Sequence, residues 1–169
     1  MATVYLPPFT PESALFLATT FPEYAKVNGT NFPVTSLKFD AAADEAAFWK
    51  FQALNYGSGN LTVDILWYAD TASSGDVVFG ASISAITPNT DSQDVETDGL
   101  ATENTVTDSH LGTTGQRVHL ATITVSNLDS LANLDLVHIR IRRLGSTSGS
   151  DTMAGDACIL LVAVNYSDT

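Results

Sequence analysis

Two-residue alternation runs through most of this chain. Val137, Ile139 and Ile141 alternate with His138, Arg140 and Arg142, so residues 135–144 predict a strand with one apolar and one cationic face. A Gly- and Ser-rich turn over 145–155 precedes 156–166 (DACILLVAVNY), which predicts the return strand. Leu61, Val63, Ile65 and Trp67 share one face of a strand over 61–69. Residues 14–20, 34–40, 46–53, 76–86 and 117–127 read as further strands, with turn clusters at 55–60 and 71–75. Residues 22–33 read as a loop, and 128–134 leave room for one helical turn. Apolar spacing of three and four is everywhere interrupted by β-branched residues or turn formers, so no long helix is expected.

Short strands with turn signals about every ten residues indicate an all-β antiparallel jelly-roll β-sandwich. Trp49, Trp67, Phe48, Phe51, Phe79, Ile139 and Ile141 are the expected core. Residues 1–13 carry three prolines among Val4, Leu6 and Phe9, which predicts an extended N-terminal arm in front of a single domain over 14–169. Tyr5, Leu6 and Phe9 need apolar cover, from their own domain or from a neighbour. Residues 88–115 form a long polar, acidic excursion, either mobile or ordered by a partner. The last strand is apolar on both faces. One face can meet the core and the other needs a cover, which argues for a homo-oligomer.

Charge narrows the partners. The chain of 169 residues has net charge −12, from 7 Lys and Arg against 19 Asp and Glu. Such a chain is a poor ligand for phosphate backbones or for anionic membrane surfaces, so neither nucleic acid nor membrane is an expected partner. The lone cysteine, Cys158, lies in an apolar run and reads as a buried hydrophobe. The N-terminal residues lack a signal-peptide pattern, and no apolar run is long enough to cross a membrane as a helix.

No catalytic residue set and no cofactor motif is legible. Asp40, Asp44, Glu45 and Asp64 neighbour the predicted strands, yet read better as turn caps or surface carboxylates than as an acid–base pair. His119 and His138 can fall on neighbouring strands but lack a third zinc ligand. Asp94, Glu96 and Asp98 before Gly99 copy the opening of a calcium loop. The later bidentate Glu is replaced by Thr105, so a solvated acidic loop is the stronger reading. Arg140 and Arg142, with His138, form a cationic strip. It suits cross-strand pairing on its own sheet or a carboxylate-bearing partner surface. Tyr56, Tyr68 and Tyr166 are candidate exposed rings for sugar stacking, whereas the phase of Trp67 places it in the core.

The order of features resembles jelly-roll virion proteins of tailed bacteriophages. Leu37-Lys38-Phe39-Asp40 with Asp44-Glu45, residues 61–69 (LTVDILWYA), residues 74–79 (SGDVVF), residues 136–144 (LVHIRIRRL), Ser150-Asp151-Thr152 and Gly155-Asp156-Ala157 carry it. The resemblance spans most of 34–166 and does not include the 88–115 excursion. It implies a non-enzymatic capsid decoration (cement) protein on the virion surface. Such a protein would be a homo-oligomer, a trimer by preference, touching the major capsid protein or another virion protein. Tyr5, Leu6, Phe9, His138, Arg140 and Arg142 would then be the interface. The alternative is a carbohydrate- or receptor-binding jelly-roll module of a tail fibre or virion appendage, with a glycan as ligand.

Overall fold

A computed structural model of the chain describes residues 2–168. Two antiparallel sheets pack face to face. The strands are β1 (Thr3–Tyr5), β2 (Glu23–Asn28), β3 (Pro33–Phe39), β4 (Asp44–Gln52), β5 (Ser58–Ala69), β6 (Asp76–Ile86), β7 (Asn104–Ser109), β8 (His119–Val125), β9 (Leu136–Leu144) and β10 (Ala157–Ser167). The six-stranded sheet runs β2-β3-β10-β5-β8, with β1 added along the far end of β10. The four-stranded sheet runs β4-β9-β6-β7. This is the jelly-roll sandwich that the alternation requires. Leu61, Val63, Ile65 and Trp67 of β5 face Val137, Ile139 and Ile141 of β9 across a closed core, all with no exposed surface. Burying each such side chain contributes on the order of 1.5–3 kcal/mol.

The N-terminal arm belongs to its own sandwich. The Leu6 N–H donates to the Val164 carbonyl (3.0 Å), and Phe9 exchanges backbone bonds with Val162 at 2.8 and 3.0 Å. The Phe9 ring lies flat on Trp49 (5.9 Å, 11°), whose indole N–H donates to the Thr10 carbonyl (3.1 Å). Of the two covers expected for the arm, Leu6 and Phe9 find theirs on the home domain, and Tyr5 alone of the three is exposed.

Five other expectations change. Residues 14–20 form no strand: a short 3-10 turn (Pro11–Ser13) precedes an irregular stretch held by one bridge from Leu15 to Phe48. The 22–33 loop contains β2. The 88–115 excursion contains β7, which pairs with β6 from Asp76↔Ser109 to Ala81↔Asn104. No helical turn forms over 128–134, where Asp129, Ser130 and Leu134 take positive φ. Phe48 is also outside the core. It pairs with Arg140, one residue out of phase with the buried Trp49.

Arg143 is fully buried and closes the 145–156 turn. Its guanidinium donates to both Asp151 carboxylate oxygens (2.7 and 3.0 Å) and to the carbonyls of Phe39 (3.3 Å), Met153 (2.7 Å) and Gly155 (2.8 Å). All five N–H donors thereby find an acceptor.

Candidate functional site

The outer face of the six-stranded sheet carries an uncharged stripe. Val27 of β2 pairs with Val34 of β3, and Leu66 of β5 pairs with Leu161 of β10 and Leu120 of β8. Val27, Val118 and Leu120 are each more than half exposed. On the second apolar face of β10, Cys158 is buried while Leu160, Leu161 and Ala163 are part-exposed.

A groove of about 570 Å³ crosses one part of this stripe. The β2–β3 hairpin supplies Val27, Phe32 and Val34, β10 supplies Leu160, and β5 supplies Tyr68 with Asp70 beyond it. The segment before β8 supplies the opposite wall, Gln116 and Val118. Phe32 is 69% exposed, whereas only the edge of Tyr68 is open. Burial raises the Tyr68 hydroxyl above its ordinary value, so the ring stays neutral. Polar groups converge on the same rim. Lys38 Nζ lies 2.7 Å from Asp70 and 3.4 Å from Asp156. The hydrogen bond to Asp70 raises the ammonium, so Lys38 keeps its charge. Gln116 Nε2 donates to the Asp70 carbonyl (2.6 Å), and among the described residues its amide oxygen accepts no hydrogen bond.

Beyond Lys38 a second groove, about 510 Å³, is lined by Phe16, Phe21 and Tyr24 with Asp40, Glu45 and Asp156. Its carboxylates serve the fold. Glu45 accepts the Asp40 N–H (2.8 Å), Asp156 the Ala41 N–H (3.1 Å) and Asp40 the Ala42 N–H (2.6 Å). Burial raises the Glu45 carboxyl, the Asp40 N–H bond opposes it, and the charges of Asp40 and Asp156 add to it.

The cationic strip is internal wiring. Arg142 forms a fork on Glu103 (2.7 and 2.9 Å), and Arg140 binds the same carboxylate (3.1 Å). Asp44 lies 3.5 Å from Arg142. Glu103 reaches them over Gly80, the β6 partner of Arg142. Of the two readings of Arg140 and Arg142, the structure shows pairing within the chain: the carboxylate they bind is Glu103, just before β7. His138 sits beside them, opposite Lys50 and Ser84.

The residues of the calcium-loop candidate do not converge. Asp94 accepts the Glu96 N–H (3.0 Å) in a local turn, while Asp98 turns away to the Ser84 hydroxyl (2.6 Å). Among the described residues no group of three or more His, Cys, Asp or Glu is placed to hold a metal ion. His119 and His138 lie on different sheets, and it is His110 that packs against His119. Tyr56 and Tyr166 are buried edge to face (5.5 Å), so of the three expected tyrosines only Tyr68 reaches a groove. The groove's Phe32, Gln116 and Val118 escape sequence reading because each lies in a loop or at a strand start, where alternation is silent. The Asn28-Gly29 turn just before Phe32 is the one local signal.

No family profile matches the chain, and no curated protein matches it. Solved structures share its fold. A family 27 carbohydrate-binding module described as recognising mannan is 11% identical over 99% of each chain, with a TM-score of 0.50. A family 36 module domain of a multidomain xylanase, from the hindgut metagenome of Trinervitermes trinervoides, is 8% identical. That match covers 99% of this chain and 100% of the other, with a TM-score of 0.49. A family 36 module in complex with calcium and xylotriose is 12% identical over 96% of this chain and 98% of the other, with a TM-score of 0.44. At these identities the likeness concerns the sandwich fold and nothing finer.

Proposed function

We propose that this chain is a non-catalytic binding module whose ligand is an uncharged glycan, held in the groove between the β2–β3 hairpin and the 110–118 segment. The observation that carries the reading is the Phe32 ring, open to solvent above an aliphatic floor and ringed by Tyr68, Thr35, Asp70 and Gln116. A sugar offers apolar C–H faces and hydroxyl edges. An aromatic face takes the former, and a carboxylate, an amide and a hydroxyl take the latter. Lys38 is held by two carboxylates and the chain is at −12, so an acidic sugar would meet repulsion without compensation. The fold shared with the mannan-recognising module makes mannan the first polysaccharide to test. An array of neutral and acidic glycans tests the reading. Neutral hits that Phe32→Ala weakens about tenfold support it, that being the scale of one lost ring contact. An array with no neutral hit, or hits that Phe32→Ala leaves unchanged, overturns it.

The aliphatic character of the stripe favours a second reading, a protein partner of the virion type. Val27, Val118 and Leu120 bury better against side chains than against sugar. A decoration protein would then dock, or form its homo-oligomer, through this face rather than through its arm. Leu120→Asp should abolish particle binding or lower the mass by light scattering. An unchanged monomer that binds no particle sinks this reading.

A further inference from the structure

Next to the groove lie two buried histidines that ligand contact does not use. The His110 and His119 rings are 4.5 Å apart, and His119 stacks on Trp67 (4.6 Å, 22°). Each ring accepts a backbone N–H from the segment between them: Leu111 N–H to His119 Nε2 (3.0 Å) and Gly112 N–H to His110 Nδ1 (3.0 Å). His110 Nε2 meets the Gly115 carbonyl (3.1 Å) and so bears its ring proton. The accepting nitrogens have no proton, which makes both rings neutral in this arrangement. The held segment is not a relaxed one. Gly112 and Thr113 both take positive φ (74° and 75°), and Thr113 is β-branched. The same segment carries the groove wall, Gln116 and Val118.

We propose that His110 and His119 form an acid-released latch that fixes the Gln116–Val118 wall of the groove at neutral pH and frees it when the rings take up protons. As a control on binding, this rests on the groove being the binding site; the latch itself does not. A protonated His119 has no lone pair for the Leu111 N–H, and a protonated His110 has none for the Gly112 N–H. Two charged rings at this separation also repel. From β7, Asp108 favours the charged form of His119, although its carboxylate already accepts the Trp67 indole N–H (2.8 Å). From the segment itself, His110 disfavours it, the Arg117 backbone favours it and the Arg117 charge disfavours it, and β5 contributes the uncharged Trp67. Burial, then His110, holds His119 below the ordinary histidine value, so the latch is closed at neutral pH and opens in acid.

Isotope-labelled protein titrated from about pH 7.5 to about 4.5 tests this by NMR. The amides of Leu111 and Gly112, the Gln116 side-chain amide and the Val118 methyls should move together, and the Leu111 amide should follow the His119 ring, whose midpoint lies below the ordinary histidine value. Amide protection at 111 and 112 should fall at least about tenfold. His119→Gln and His110→Asn supply acceptors that do not titrate, the latter as an Asx turn to the N–H two residues on. In the double variant the transition should vanish. Flat wild-type resonances, or a transition that persists in the double variant, overturn the latch. Should the double variant not fold, the wild-type ring Cε1–H curves decide: midpoints that differ from those of the amides overturn it. Mannohexaose titrated at both ends of the range adds a second readout. Weakening in acid in the wild type alone supports control of the groove, and equal affinity refutes that control. Absence of binding at either pH counts against the glycan reading only, since the amide resonances judge the latch.

Discussion

Asp151→Asn tests the Arg143 clip most sharply. The side chain keeps its shape and loses its charge. Arg143 has no exposed surface and Asp151 has 1%, so water cannot reach the guanidinium to replace the carboxylate. The Asn amide would also face the Arg143 donors or the Val78 N–H that Asp151 now accepts (2.9 Å) with a donor of its own. Removing one partner of a buried ion pair costs about 3–5 kcal/mol, because the other charge stays behind. For a domain of this size about 2–4 °C accompany each kcal/mol, so the melting midpoint should drop by roughly 6–20 °C. Urea unfolding should show a lower midpoint at unchanged slope. Arg143→Met removes the charge but strands the carbonyls of Phe39, Met153 and Gly155, so it should cost a comparable amount. The double variant Arg143→Met with Asp151→Asn should lose less than the sum of the two, since neither charge is then left alone. An Asp151→Asn protein within about 1 kcal/mol of wild type, or strictly additive losses, would refute the reasoning.

Four further outcomes are expected. Gly80→Ala places a Cβ 2.6 and 2.7 Å from the Glu103 carboxylate oxygens, so Glu103 must leave Arg140 and Arg142; a loss of about 1–3 kcal/mol in urea unfolding checks it. Phe9→Ala should cost about 3 kcal/mol while circular dichroism stays β-type, because the ring completes the Trp49 side of the core. Cys158 is 2% exposed and burial pushes its thiol up, so a disulfide reagent should label it only at the rate of unfolding. Stability should also fall in acid through His119. Its folded-state value is lowered, so the unfolded chain binds the proton first; the contribution is full above about pH 6.5 and is lost as the pH falls toward the folded value, a loss that His119→Gln should remove.

Strands with one covered and one wet face were legible because alternation records burial directly. β6 is found at the expected bounds, 76–86, and β9 and β10 within a residue. β2 was hidden because it is an edge strand with little burial on either face, and so carries no apolar signal. β7 was hidden because Asn104–Ser109 holds one large apolar residue, Val106; its place comes from Glu103 docking on two arginines that lie far away in sequence. Alternation puts Arg143 on the opposite side from Arg140 and Arg142, yet its five acceptors sit in segments that alternation cannot relate. The groove needs the same kind of knowledge. Phe32, Tyr68 and Gln116 meet only once β2, β5 and the segment before β8 are placed on one face.

The wiring of positive charge decides which face is left for a ligand. Lys38, Arg140, Arg142 and Arg143 are bound by carboxylates of their own chain, and Arg117 donates to the Leu111 carbonyl (3.3 Å). The outer face of the four-stranded sheet is thereby tied together by ion pairs that join β4, β9 and the start of β7 across β6. Removing a ligand-sized area of that face from water would desolvate ions already paired, at a cost that new contacts must first overcome. The six-stranded sheet presents the opposite case. Val27, Phe32, Leu66, Leu120 and Leu160 carry no charge, so covering them gains the hydrophobic term without breaking an ion pair. The proposed uncharged ligand with an apolar face fits this division of labour. Lys38→Met offers the check: freeing Asp70 and Asp156 makes the rim more negative, so affinity for an acidic glycan should stay absent while that for a neutral one changes little. Gain of acidic binding in that variant would show that charge does not govern the choice.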